Sequence, residues 1–413
     1  MPSDFPIQTK TSCQLKWVWS TLYLNAGKSL SCHRTGETIL TEENFNNFHN
    51  TPVLLEDRKN MLVGKWPEQS CSYCRHIEEQ GGTSDRMRQW SIPYKIPKEL
   101  QENPTEISVT PTLLEVYFSN VCNMGCLYCT ADSSSVIEAE NRKFGDFVSG
   151  NIKLINKTNQ YKNLVPYFWN WLDKNGQHIS RLHILGGEPF FQKDFDELLE
   201  YLHLNPMPDC ELNIITNLKV SKSKLTNIIE SLKSLLKKRH IKRIDITCSI
   251  DCWGPQQEYV RYGMNLIEWE NNFNYLLEHK WLTLNINQTI SPLTIKTMPA
   301  LLKKLQEWRK KRKIGHWFSG VTPQPEYLKL HVLGGEIFKQ DFEEILSLMP
   351  SDTDEDKLAK EYMDGIYKET CSTGIIPELV NDLFVFLNEK DRRRNTNWRE
   401  IFPWLLDFEI NQK

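Results

Sequence analysis

The chain has 413 residues, 39% of them hydrophobic and 25% charged, and a formal net charge of −3. It contains no run of 18 apolar residues, which argues against a transmembrane helix, and its near-neutral balance argues against a broadly basic nucleic-acid-binding surface. The N-terminus, MPSDFPIQTK, lacks the basic-then-apolar pattern of a secretory signal. A cytoplasmic protein is therefore expected, with its 11 cysteines reduced and free to bind metals.

Residues 1–95 hold Cys13, Cys32, Cys71 and Cys74 together with several tryptophans. The stretch CQLKWVWSTLYLNAGKSLSC reads as a hairpin turning at Gly27, and SCSYC adds a CxxC pair. Residues 96–112 are polar and proline-bearing, and read as a linker. From residue 113 to 337, short β-rich runs alternate with helical ones. The runs LLEVYF, RLHIL, ELNIIT, RIDITCSI, LTLNINQTI and YLKLHVL read as buried parallel strands. Between them, segments such as KLTNIIESLKSLLKK carry apolar residues at helical spacing. Six strands separated by helices predict repeated βαβ units, too few for an eight-stranded barrel. A partial barrel and an open doubly wound sheet both satisfy that pattern. Residues 338–413 read as helices with a charged turn at NEKDRRRNTNW. The basic runs SLLKKRHIKR and EWRKKRK read as solvated helix ends, where cations complement the helix dipole.

Functional groups of α/β folds gather at the C-terminal ends of parallel strands. The first predicted strand is followed directly by VCNMGCLYC, which spaces Cys122, Cys126 and Cys129 as C-x3-C-x2-C. A structural zinc site normally closes its tetrahedron with four ligands, and three thiols in one polar loop are poorly explained by packing. Three ligands leave one coordination position open. The next strands end in LGGEP (185–189), TN (216–217) and SID (249–251), and YVRYG (259–263) follows shortly after.

Taken in this order, the motifs resemble those of the radical S-adenosylmethionine (SAM) enzymes. The resemblance implies a partial (β/α)6 TIM-type barrel with a [4Fe–4S] cluster held by Cys122, Cys126 and Cys129, thiolate being the suitable soft ligand. In that family the open iron takes the amino and carboxylate groups of SAM, which is cleaved reductively to a 5′-deoxyadenosyl radical. Carried over to this chain, Tyr128 lies near the adenine. Gly186, Gly187, Glu188 and Pro189 form the edge that meets the SAM amino group, with Glu188 as acceptor. Thr216 and Asn217 lie near the ribose, although Leu218 stands where a glycine usually follows. Ser249 and Asp251 match ribose contacts, and Arg261 is expected to pair with the SAM carboxylate.

The N-terminal cysteines resemble the twitch and SPASM auxiliary domains, whose hairpin cysteines hold a second [4Fe–4S] cluster. Cys13, Cys32, Cys71 and Cys74 would supply four thiolates here, and a four-cysteine zinc site is the alternative. Such domains normally follow the barrel; here the pattern precedes it, as in a subset of twitch-type members. The fold class expected is thus α/β, a partial barrel with an N-terminal Cys-rich domain and a helical C-terminal extension. Cys210, Cys248 and Cys371 are expected to be packing residues. Cys252 could serve as a hydrogen donor, and Asn287, Gln288, Thr289 and His331 could face a substrate.

Relatives with such auxiliary domains often modify ribosomally made peptides. A precursor peptide is therefore the expected substrate, for crosslinking, epimerisation or tyramine-excising splicing. A separate small leader-binding protein and an electron donor such as flavodoxin or ferredoxin are the expected partners. Radical modification of a small molecule, a nucleotide or tRNA is the alternative, and the charge balance disfavours nucleic acid.

Overall fold

A computed structural model of the chain describes residues 4–89, 92–157, 159–320 and 324–410. Its strands are β1 (Trp19–Tyr23), β2 (Lys28–Leu30), β3 (Thr38–Ile39), β4 (Leu113–Tyr117), β5 (Phe147–Ser149), β6 (Ile152–Leu154), β7 (Arg181–Leu185), β8 (Met207–Thr216), β9 (Ile241–Ser249), β10 (Thr283–Ile290) and β11 (Gly315–Gly320). Nine of these form one sheet in the order β11-β10-β9-β8-β7-β4-β1-β2-β3, and β5 and β6 make a separate hairpin.

The six strands from β4 to β11 in that sheet are parallel and lie side by side in chain order. A doubly wound sheet reverses its strand order at a switch point; these six parallel strands do not. Each crossover carries a helix whose apolar stripe covers the sheet. In Lys222–Lys237 the buried face is Leu225, Ile228, Ile229, Leu232 and Leu235, a three-and-four spacing that falls on one side of a helix. The helix starts where the Ser221 hydroxyl accepts the Lys224 N–H at 3.3 Å. At roughly 2 kcal/mol per aliphatic side chain, that face contributes about 10 kcal/mol of burial before conformational entropy is subtracted.

The sixth parallel strand differs from expectation. YLKLHVL forms two 3-10 turns, Glu326–Leu328 and Leu330–Val332, and the sixth strand is GHWFSG at Gly315–Gly320. Tyr327, Leu328, Leu330 and Val332 are all buried, so their apolar pattern is satisfied by packing on the helix Pro377–Arg394 rather than by a sheet. His331 consequently sits in a 3-10 turn and on no strand. The predicted charged turn is also displaced: NEKDRRR is the end of the helix Pro377–Arg394, which stops at left-handed Asn395 (φ 54°).

The hairpin expected around Gly27 is present as β1 and β2, with Gly27 at φ 65°. Its first strand lies parallel to β4 over five residue pairs, Trp19 opposite Leu113 through Tyr23 opposite Tyr117. The N-terminal segment therefore continues the main sheet. It also has a small core of its own, in which Phe5, Trp17, Val18, Met61, Leu100 and Val109 surround Cys13 and Cys71. Leu100 belongs to a short helix, Lys98–Glu102, within the stretch read as a linker.

Candidate metal and cofactor site

The loop that follows β4 is fixed from two sides. Gly125 donates its N–H to the Tyr262 carbonyl and Leu127 to the Val260 carbonyl, both at 2.9 Å, which pins the loop against the segment after β9. From the other side, Ser135 Oγ bonds both the N–H and the carbonyl of Cys122, and Ser134 Oγ donates to the Met124 carbonyl at 2.7 Å. Cys126 is buried and Cys122 and Cys129 are half-buried. The Cys126 and Cys129 thiols are free and hydrogen-bonded to each other, and Cys122 lies within electrostatic reach of both. Burial pushes the Cys122 thiol up to about 12; a cation among the three would reverse that by favouring thiolate.

Two buried polar clusters flank this loop. The first is centred on Asp251, 1% exposed. Arg261 grips its carboxylate with Nε and Nη2 at 2.8 and 2.9 Å, Tyr128 donates its hydroxyl at 2.8 Å, and the Thr289 N–H donates at 2.8 Å. Gln288 Nε2 donates to the Asp251 carbonyl at 2.9 Å. Arg261, expected to meet the carboxylate of a bound molecule, thus already forms a bidentate pair within the chain. Gln288 and Thr289, expected to face a substrate, hold Asp251 instead. Ser249, at the end of β9, is buried and stands opposite Asn287.

The second cluster is centred on Glu188, also 1% exposed. Its Oε1 accepts from the Thr216 hydroxyl at 2.6 Å and the Phe190 N–H at 3.0 Å, and its Oε2 from the Asn217 N–H at 2.6 Å. Rather than standing open as an acceptor, Glu188 caps the turn Pro189–Phe191 and ties the end of β7 to the end of β8. Burial pushes its carboxyl up to about 7, against the pull of those three donors. Asn217 extends the cluster to the cysteines: its Nδ2 lies 3.0 Å from Asn123 Oδ1 and 3.9 Å from Cys122 Sγ.

The two glycines of LGGEP act by close packing. A Cβ on Gly187 would sit 2.2 Å from the Val121 carbonyl oxygen, and one on Gly186 would sit 2.8 Å from Tyr117. Both have left-handed φ, 82° and 46° for Gly186 and Gly187. They let β7 turn beneath the cysteine loop, where the Glu188 N–H reaches the Val121 carbonyl at 2.9 Å. Gln192 completes this junction. Its Nε2 faces the carbonyls of Ser119, Val121 and Gly186 at 3.1, 3.0 and 2.9 Å. Gln257 does the same on the other flank, its Oε1 accepting from the N–H groups of Asp251 and Cys252. Neither glutamine carries a sequence signal beyond standing close to a motif.

Cys252 is fully buried, its thiol bonded to Thr297 and pushed up by burial. That orientation, into the packing, counts against the expected role as hydrogen donor. Cys210 and Cys248 are buried, and Cys371 lies within 3.5 Å of the Gly335 carbonyl.

The four N-terminal cysteines converge. Cys13, Cys32, Cys71 and Cys74 line one small cavity, with Lys16, Arg34 and Arg86 around it. Burial pushes Cys71 up to about 12. The three basic side chains are paired with Asp57, Asp85 and Glu78 respectively. Four soft donors on one cavity fit a thiolate-ligated metal group. Among the described residues, no group of three or more His, Cys, Asp or Glu side chains is disposed around a single-ion position.

No family model matches the chain, and no curated protein matches it. Among solved structures it is similar to SuiB of Streptococcus suis bound to S-adenosylmethionine, at 15% identity over 71% of this chain and 63% of that one, with a TM-score of 0.39. It is also similar to SuiB bound to the precursor peptide SuiA, at 16% identity, 68% and 59% coverage and a TM-score of 0.37. A third likeness is to TYW1 with a lysine–pyruvate adduct, at 17% identity, 55% and 68% coverage and a TM-score of 0.29. The chain thus spans less than two thirds of the length of the first two. At such distances the functional reading rests on the chain's own residues. No helix among the described residues is long and apolar enough to cross a membrane.

Proposed function

We propose that the chain is a radical SAM enzyme in which Cys122, Cys126 and Cys129 hold a [4Fe–4S] cluster and the neighbouring strand ends hold SAM. The observation that carries this reading is three cysteines in one pinned loop at the end of β4, with buried polar clusters from the ends of β7, β8 and β9 on either side. When bound, the cluster supplies the electron for reductive cleavage of SAM. Asp251, gripped by Arg261 and Tyr128, fixes one wall of the site, and Glu188 with Thr216 and Asn217 fixes the other. Both walls are built from buried groups hydrogen-bonded to one another, as a site that must orient a reactive molecule requires.

The N-terminal cysteines would hold a second [4Fe–4S] cluster. The shared cavity supports a common ligand for all four thiols. By resemblance to twitch-type and SPASM-type members, the substrate proposed is a ribosomally made precursor peptide, with a flavodoxin or ferredoxin as electron donor.

Protein purified without oxygen should contain about eight irons per chain. Replacing Cys122, Cys126 and Cys129 by alanine should leave about four, and so should replacing Cys13, Cys32, Cys71 and Cys74. About four irons with one zinc would make the N-terminal set a structural zinc site. No iron dependent on Cys122, Cys126 and Cys129 would end the radical SAM reading.

A further inference from the structure

Arg394, at the end of the helix Pro377–Arg394, is a buried charge that the site described above does not use. Its side chain is 3% exposed. Nε donates to Glu140 Oε2 at 2.7 Å, while Nη1 and Nη2 are buried with no hydrogen-bond partner. Leaving guanidinium donors dry is costly unless an anion faces them. The guanidinium lies against the cysteine loop: a Cβ on Gly125 would be 3.0 Å from Arg394 Nη2 and 3.6 Å from Cζ. Gly125 is not in the left-handed region, and Val136 Cγ1 at 3.3 Å stands with Arg394 in the space its side chain would take. Arg394 also stacks on Tyr262, 4.5 Å from Cζ to the ring centre, and the Tyr262 carbonyl holds the Gly125 N–H.

The carboxylate that Arg394 pairs with also carries a second cation. Glu140 is shared with Lys390, whose Nζ lies 2.5 Å from Oε1. Burial and the neighbouring Arg394 press the Lys390 ammonium down to about 8, as expected where positive charge is in excess.

We propose that Arg394 is the counter-charge of the iron–sulfur group held by Cys122, Cys126 and Cys129, set behind their loop to stabilise its reduced, more negative state. This inference rests on the function proposed above. Arg394 touches neither SAM nor substrate in this account; it is a positioning and tuning residue. A fixed positive charge in a low-dielectric surrounding favours the state carrying one more electron, so removing it should make reduction harder.

The test is an anaerobic reductive titration of the full chain with dithionite as the one-electron donor. The signal to follow is the paramagnetic one that changes on adding SAM, because it reports the cluster with an open iron. R394Q should keep its iron and show a midpoint shifted to more negative potential, and R394K should stay nearer the wild type. Loss of that cluster in R394Q with retention in R394K would also support the charge. Wild-type midpoints and full iron in R394Q would overturn the proposal. So would equal shifts or equal iron loss in R394Q and R394K, which would make Arg394 a packing residue. A wild-type protein without iron at these cysteines would overturn the function and this inference together, and only that result would reach the function.

Discussion

Leu218 shows how a single residue departs from a motif without abandoning its geometry. The resemblance leads to glycine after Thr216 and Asn217, and the chain places leucine there in the left-handed conformation, at φ 59°. A side chain in that region costs roughly 1–2 kcal/mol. Leu218 is fully buried, which returns about 2–3 kcal/mol. Its carbonyl also accepts from Asn272 Nδ2 at 3.2 Å. Burial therefore wins. Leu218→Gly would relieve the strain but leave a cavity and a freer unfolded chain, so a net loss of about 2 kcal/mol is expected. Urea unfolding of the variant checks this; a variant more stable than the wild type would mean that strain dominates. Legibility at this scale follows chemistry. Cysteines at C-x3-C-x2-C announce themselves, whereas Gln192 and Gln257 do not. Their roles depend on carbonyls and amides that only the fold brings within reach.

Among the elements, β1 is the one whose placement the sequence hid. The hairpin turn at Gly27 is a local signal and was readable. The pairing of β1 with β4 joins residues about ninety positions apart, and no local pattern encodes such a contact. The same limit applies to β11. It is a short strand bounded by Gly315 and Gly320, with Trp317 exposed, and its composition lacks the apolar run that marked the five strands before it. YLKLHVL had the better strand pattern and took its packing elsewhere. Because β1 covers one edge of β4, a fragment starting at Asn103 would leave that edge open, with the Thr21 hydroxyl removed from Glu115. Unpaired edges template association. The fragment is expected to aggregate, as followed by size-exclusion chromatography. A monodisperse, folded fragment would instead show that the first hundred residues form a separable unit.

At the scale of the whole molecule, buried histidines set a lower limit on the pH at which this fold holds. His316 is 8% exposed, its Nε2 bonded to Gln288, and burial presses it down to about 3. His49 is 2% exposed and is likewise held well below its usual range by burial. Its ring bonds Ser20 Oγ at 2.7 Å and the Trp17 carbonyl at 2.9 Å, at the seam between β1 and the N-terminal core. Each ring is neutral in the folded chain and takes a proton once unfolded at a pH below about 6.5. The unfolded state then binds more protons, so stability falls as pH drops from about 6.5 toward the folded value. For His316 alone the loss by pH 5 is about 2 kcal/mol. In His316→Gln, which keeps a donor toward Gln288, that part of the acid sensitivity should vanish. Unfolding free energies of wild type and variant at pH 7 and pH 5 give the comparison, and equal losses in the two proteins would mean that the His316 ring takes up protons alike in the folded and unfolded chain and is not held neutral by the fold. Since His316 on β11 bonds Gln288 on β10, and Gln288 holds Asp251 beside the cysteine loop, a proton forced onto the His316 ring would be felt on the flank of the site carrying Asp251 and Arg261.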